Sequence, residues 1–200
     1  MKADIVLAGV GGQGILSIAT VLGKAALEAG LYIKQAEVHG MSQRGGDVQS
    51  CLRISSDPIA SDLIRNGSAD LIVSLEPMEA LRYLPLLRRD GWIVTGTTPV
   101  VNIDNYPDME EVTTALTAVG NTVAADFDAV AKEVASPRSA NMALLGAASR
   151  FIDGITPEEI ERAIAGIFAA KGEAVIESNI KAFRAGLAVA AETVNRVSAN

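Results

Sequence analysis

The sequence points to a doubly wound α/β protein whose sheet is mostly parallel and whose last part is helical. Three observations carry this. A β-forming run, Asp4 to Ala8, enters a cluster of glycines (Gly9, Gly11, Gly12, Gly14), and a helical pattern starts directly after them. Short strands then alternate with helices as far as Val134, the pattern of an α/β sheet. From Ser139 onward only helical spacing remains. The 200 residues are 49% hydrophobic but only 4% aromatic, so the core must be built from Val, Ile, Leu, Ala and Met, which suits a parallel sheet covered by helices.

Each element has a local reason. Ile15, Ile18, Ala19, Leu22, Ala26 and Ala29 fall on one helical face, and Gly30 ends that helix. Leu31 to Val38 reads as the second strand, so the opening is a βαβ unit with a right-handed crossover between parallel strands. Val48 to Ile54 alternates in polarity, as an antiparallel or edge strand does, and Ser55 to Pro58 is a turn. Ala69 to Leu75 is a short buried strand. Glu76 and Pro77 open a helix with the stripe Met78, Leu81, Tyr83, Leu84 and Leu87, which Asp90 and Gly91 close before a strand at Trp92 to Thr95. Residues 96–110 hold two prolines and several turn formers and read as an irregular loop with room for a short strand.

Glu111 to Val119 is a weak helix, Asn121 to Ala125 a strand, and Asp126 the cap of a helix running to Val134. Asn141, Leu145, Ala148 and Ile152 share the face of a helix that Gly154 stops. Thr156, Pro157 and Glu159 form a capping box ahead of Ile160, Ala163, Ile164, Ile167 and Phe168. Gly172 ends that helix, and Ile176, Ile180, Phe183, Leu187, Ala190 and Val194 mark a long final one. No repeat or linker interrupts the chain. The expectation is a single Rossmann-like domain over 1–200, with an α/β core at 1–135 and a helical part at 136–200.

Composition excludes several functions. Seventeen basic against 24 acidic residues leave a net charge of −7 with no basic run, which argues against nucleic acid or an anionic membrane as partner. Cys51 is the only cysteine, so the chain by itself offers no internal disulfide, iron–sulfur ligand set or structural zinc site. No apolar run approaches the ~20 residues of a membrane span, and no signal-type stretch follows Lys2. A soluble cytoplasmic protein is expected.

Gly9-x-Gly11-x-x-Gly14 has the spacing and the strand-to-helix context of a dinucleotide-binding turn, where backbone N–H groups and a helix dipole meet an anion. The plainer reading is a turn that packs a helix onto a sheet. No Lys-Ser/Thr follows Gly14, so it is not a Walker phosphate loop. Glu37 stands roughly 20 residues further on, where a ribose-binding acid of a nicotinamide enzyme would be; a solvated acid at a strand end is the alternative. His39, the only histidine, reads as a loop anchor rather than a proton shuttle, having no nucleophile beside it in sequence. Ser42, Gln43, Arg44, Gly45 and Gly46 lie past the carboxyl end of a strand, the edge where such sheets bind ligands. There Arg44 could grip carboxylate or phosphate oxygens in bidentate fashion, or dock an acidic partner. Cys51, mid-strand, reads as an inert small residue.

Gly9 to Gly14, then Gly40 to Gly46 followed by Val48, Ser50 and Arg53, resemble the gamma subunit of 2-oxoacid:ferredoxin oxidoreductases, and the short separate chain is most similar to the indolepyruvate type. Ala69 to Leu81, Asn141 to Gly146 and Ile176 to Ala185 extend the resemblance over nearly the whole chain. It implies a subunit of a complex that decarboxylates a 2-oxoacid oxidatively to an acyl-CoA and passes electrons to ferredoxin. Thiamine diphosphate and the iron–sulfur clusters would belong to a catalytic partner, and coenzyme A to the complex. No cofactor, metal or catalytic residue would belong to this chain alone. By the same resemblance Gly11, Gly12, Gln13 and Gly14, with Ser42, Gln43, Arg44, Gly45 and Gly46, would line the surface facing the catalytic subunit and help shape the coenzyme A site. Two other readings stand beside it: a stand-alone enzyme holding NAD or ATP on the first glycine turn, and a structural homodimer.

Overall fold

The computed structural model of the chain describes residues 1–39 and 46–198. Six strands form one sheet: β1 (Lys2–Val10), β2 (Tyr32–His39), β3 (Asp47–Ser55), β4 (Ala69–Ser74), β5 (Leu87–Gly96) and β6 (Thr122–Ala125), in the order β2-β3-β1-β4-β5-β6. The pairs β1–β4, β4–β5 and β5–β6 are parallel, whereas β3 runs antiparallel to both its neighbours. The antiparallel reading of residues 48–54 is thus right, but the strand is interior. β1 and β2 share a direction without touching, because β3 lies between them.

Helices cover both faces. On one lie α1 (Ile15–Glu28), α4 (Phe127–Val134), α5 (Ala140–Ser149), α6 (Pro157–Phe168) and α7 (Glu173–Ser198). Their core partners on the sheet are Ile5, Leu7, Leu52, Ile54, Leu71, Val73, Val94 and Val123. On the other face α2 (Pro77–Arg82) and α3 (Met109–Val119) close over Val6, Cys51, Ile72 and Ile93 through Ala80, Val112 and Leu116. The alternation of side chains along each strand assigns odd and even positions to these two cores.

The helix at α5 is buried nearly all round, Asn141 excepted, because the sheet lies on one side and α7 on the other. The two helices run so close that a Cβ added at Gly146 or Gly186 would fall inside van der Waals contact of the carbonyl oxygen of Phe183 or Ala143. The capping box at Thr156 is present as expected, with Glu159 N donating to Thr156 Oγ1 (3.2 Å) and Thr156 N to Glu159 Oε2 (2.7 Å).

The segment after β4 also differs from the expectation. The helix from Glu76 stops at Arg82, a 3-10 turn follows over Leu84–Leu86, and Leu87 already begins β5. Ala69 pairs with Leu87 but Leu71 pairs with Trp92, so a bulge sets the four residues Arg88 to Gly91 against Asp70 alone. Gly91 is a bulge residue, not a helix stop: a Cβ there would meet Leu87 Cδ1 at 2.6 Å and Ala69 O at 3.0 Å. Residues 97–108 hold no strand. No described helix is long and apolar enough to cross a membrane.

Candidate functional site

The strand β1 hands the chain to α1 on one face, and its neighbour β4 hands it to α2 on the other. A crevice therefore opens between their carboxyl ends, the switch point at which open α/β sheets place ligands. The first glycine turn forms one wall. Gln13 N donates to Val10 O (3.1 Å) and Val10 N to Gln13 Oε1 (2.8 Å), so the glutamine side chain is used to close its own turn. Gly14 is the N-cap of α1 in the left-handed region (φ 76°), with no side-chain cap and no acid in the first turn. Ser17 N closes the first turn on Gly14 O (3.0 Å), and with no side-chain cap the positive end of the α1 dipole is uncompensated, which suits an anion.

Two further segments are tied to that turn. Gly11 N donates to Gly46 O (2.8 Å), and Val10 pairs with Asp47. The start of β3, where the second glycine stretch ends, therefore lies beside the first turn at one edge of the sheet. Of that stretch Gly46 is described, while Gly40, Met41, Ser42, Gln43, Arg44 and Gly45 lie outside the described residues. Asn141 Nδ2 donates to Gly14 O (3.2 Å), pinning the start of α5 to the same place, while its Oδ1 is buried with no hydrogen-bond partner among the described residues.

The opposite wall is built on Glu76, fully buried at the end of β4. Its carboxylate accepts from Glu79 N (2.7 Å), Val100 N (3.4 Å) and the Tyr106 hydroxyl, so one side chain caps α2 and anchors the loop 97–108. Burial and then the hydrogen bond to Glu76 push the Tyr106 phenol far up. Beside it Glu79, also buried, pairs with Arg82 (2.7 and 3.0 Å). The Tyr83 hydroxyl donates to Asp47 Oδ2 (3.5 Å), and burial, helped by the Asp47 charge, pushes the phenol up to about 12. Sequence reasoning missed this wall. Its only local trace was Glu76 before Pro77, and the partners at 100 and 106 are set by tertiary packing.

Other singled-out residues fall elsewhere. Glu37 pairs with Ser50, and Ser50 with Leu7. It is thus level with the middle of β1 and two strands away, roughly 10 Å at ordinary strand spacing, which is not the place of a ribose-binding acid beside the turn. His39 ends β2. Arg53 lies toward the far edge: it holds Asp4 with Nε and Nη2 (2.8 and 3.1 Å) and donates to the carbonyls of Ser61 and Leu63 (2.9 and 3.2 Å). Its work is to clamp the crossover before β4. Burial pushes the Asp4 carboxyl up, but Arg53 and Lys2 outweigh it and hold the group below its ordinary value. Burial pushes the Cys51 thiol up, which keeps it protonated and inert. Among the described residues no group of His, Cys, Asp and Glu is placed to hold a metal ion.

Fold and site together define an α/β module with a glycine-turn edge and an added helical layer. Residues 4–189 match the pyruvate ferredoxin/flavodoxin oxidoreductase family, and the chain belongs to it. It is 35% identical to indolepyruvate oxidoreductase subunit IorB of Pyrococcus horikoshii, over 96% of this chain and 98% of that one. With 2-oxoglutarate synthase subunit KorC of Methanothermobacter marburgensis it shares 30% identity over 93% and 95% of the two chains. Among solved structures, the gamma subunit of a keto/oxoacid ferredoxin oxidoreductase from Geobacter sulfurreducens superposes with a TM-score of 0.72 at 25% identity, covering 96% of this chain and 98% of that one. A 2-oxoglutarate:ferredoxin oxidoreductase from Magnetococcus marinus, solved with 2-oxoglutarate, coenzyme A and succinyl-CoA bound, gives 0.74 at 25% identity. There the match covers 96% of this chain but 31% of the other. The chain is a gamma-type subunit of an oxidoreductase complex of this family, and nothing in these matches favours a stand-alone NAD or ATP enzyme.

Proposed function

We propose that the chain serves, in the cytoplasm, as the subunit without thiamine or clusters in an indolepyruvate-type 2-oxoacid:ferredoxin oxidoreductase. The complex would convert a 2-oxoacid, coenzyme A and oxidised ferredoxin into acyl-CoA, carbon dioxide and reduced ferredoxin. Thiamine diphosphate and the iron–sulfur clusters belong to the catalytic partner, since one buried thiol in the middle of a sheet cannot ligate a cluster. The chain acts as one unit and contributes position rather than a reacting group. Gly11, Gly12, Gln13 and Gly14, with Ser42, Gln43, Arg44, Gly45 and Gly46, face the catalytic subunit and border the coenzyme A path. The uncapped start of α1 suits an anionic portion of that cofactor.

The observation that supports this reading is the hydrogen bond from Gly11 N to Gly46 O, which seats the end of the second glycine segment beside the first turn. Co-purification with a tag on this chain tests it. A stoichiometric partner carrying thiamine diphosphate and clusters is expected. Recovery of the chain only as a free monomer or homodimer from cells that make the whole complex would overturn it.

A further inference from the structure

An arch of chain belongs to the crevice wall opposite the glycine turn. Val100 N and the Tyr106 hydroxyl both donate to the buried carboxylate of Glu76, so residues 101–105 are tethered at both ends to one fixed point. Every residue between the tethers is exposed. Val101, 69% exposed, is the barest large apolar side chain among the described residues, and Ile103 beside it is 41% exposed. Apolar residues scattered singly over a surface are ordinary. Here two share one short arch that a buried acid holds in place. A tethered arch has already lost much of the freedom that binding would otherwise cost it.

The charge around the arch is one-sided. Seven of the 24 acids and none of the 17 bases lie between Asp90 and Ala131, so the net charge of −7 belongs wholly to this stretch. Asp104, Asp108, Glu110 and Glu111 are all exposed, and none of them makes an ion pair with a described residue. Asp108 caps α3 by accepting from Glu110 N (2.7 Å), and acids in a first turn suit the helix dipole. Asp104 has no such local use: it lies outside any helix and its side chain accepts from no described residue. An apolar centre with a charged rim is the anatomy of a protein interface. The sign of the rim then selects the partner. A second copy of this chain, meeting the arch across a twofold axis, would set acid against acid, whereas a basic surface is attracted to it.

We propose that the arch 101–105 is a docking element for the catalytic subunit, with Val101 and Ile103 entering an apolar depression and Asp104, Glu110 and Glu111 meeting basic side chains around it. The inference rests on the subunit role and adds what that role leaves open, the chemistry of the partner's surface. Contact here is continuous, across the crevice, with the glycine turn that the same partner faces.

Co-purification of the whole complex through a tag on this chain, in salt from about 0.1 to about 0.5 M, tests it. The double variant Val101→Ser, Ile103→Ser should lower the amount of partner retained roughly tenfold, as loss of interface anchors does. It should melt within a few degrees of the parent, because both side chains are exposed. Asp104→Lys should also weaken retention, and its gap to the parent should close as salt rises. That single variant decides the matter if the double variant folds poorly. A parent and two variants that all retain the partner equally at every salt overturn the inference and leave the subunit role standing. A parent that retains no partner removes that role, and the inference with it. Dimers of the isolated chain that the double variant abolishes, seen by sedimentation, would assign the arch to a second copy and likewise overturn it.

Discussion

Two glycines two residues apart make different demands. Gly12 (φ 107°) has open space where a Cβ would go, whereas at Gly14 (φ 76°) a Cβ would stand 2.8 Å from Asn141 Nδ2. Gly12→Ala should therefore cost only backbone strain, about 1–2 kcal/mol, and Gly14→Ala that plus the displaced Asn141 bond. Urea unfolding of the two variants measures the difference, and equal costs would show the Asn141 contact to be worthless. At the far edge Asp4 makes a pH prediction. Its folded pKa lies below the unfolded value near 4, so its contribution is fully present above that value and disappears as pH falls through the lower, folded one. Asp4→Asn leaves Arg53 unpaired and should lose about 3–5 kcal/mol at pH 7. The gap to the parent should narrow as pH drops below about 4, and a gap constant to pH 2 would refute the assignment.

At the scale of elements, packing decides what glycine does between α5 and α7. Carbonyl oxygens of Phe183 and Ala143 face Gly146 and Gly186 directly, and backbone cannot swing aside as a side chain can. Gly146→Ala and Gly186→Ala should each destabilise by at least about 3 kcal/mol, the upper end of ordinary overpacking. The double variant should cost less than the sum, because one separation of the helices relieves both contacts. Differential scanning calorimetry would show it. This close crossing was not legible in sequence: Gly146 sits in a helical pattern where glycine is merely a weak residue. Elements with signals inside their own few residues were legible, such as the turn into α1, the Asp126 cap and the Thr156 box. The start of β5 was not. Leu84 to Leu87 continues a helical stripe on paper, and only pairing with β4 across a bulge makes Leu87 a strand residue.

For the molecule as a whole, the glycine turn at the carboxyl edge of the sheet was legible, because strand, glycines and helix follow one another directly. The insertion of β3 between β1 and β2 was not, since it joins strands distant in sequence and leaves no local mark. It nonetheless sets the site: by taking the place beside β1, β3 brings Gly46 onto Gly11 and moves Glu37 two strands out. The same geometry lets docking be tested apart from folding. Because Gly12 is open on the outside of its turn, Gly12→Arg adds bulk toward whatever faces that edge and little strain within the chain. Its stability loss should stay near the 1–2 kcal/mol of a left-handed non-glycine residue. If this edge meets the catalytic subunit, the variant should melt within several degrees of the parent yet fail to retain its partner on a tagged column. Gly146→Ala should do the reverse, losing stability while the molecules that remain folded still bind. A Gly12→Arg chain that carries its partner at full stoichiometry, with undiminished oxidoreductase activity, would place the docking surface on another side of the sheet.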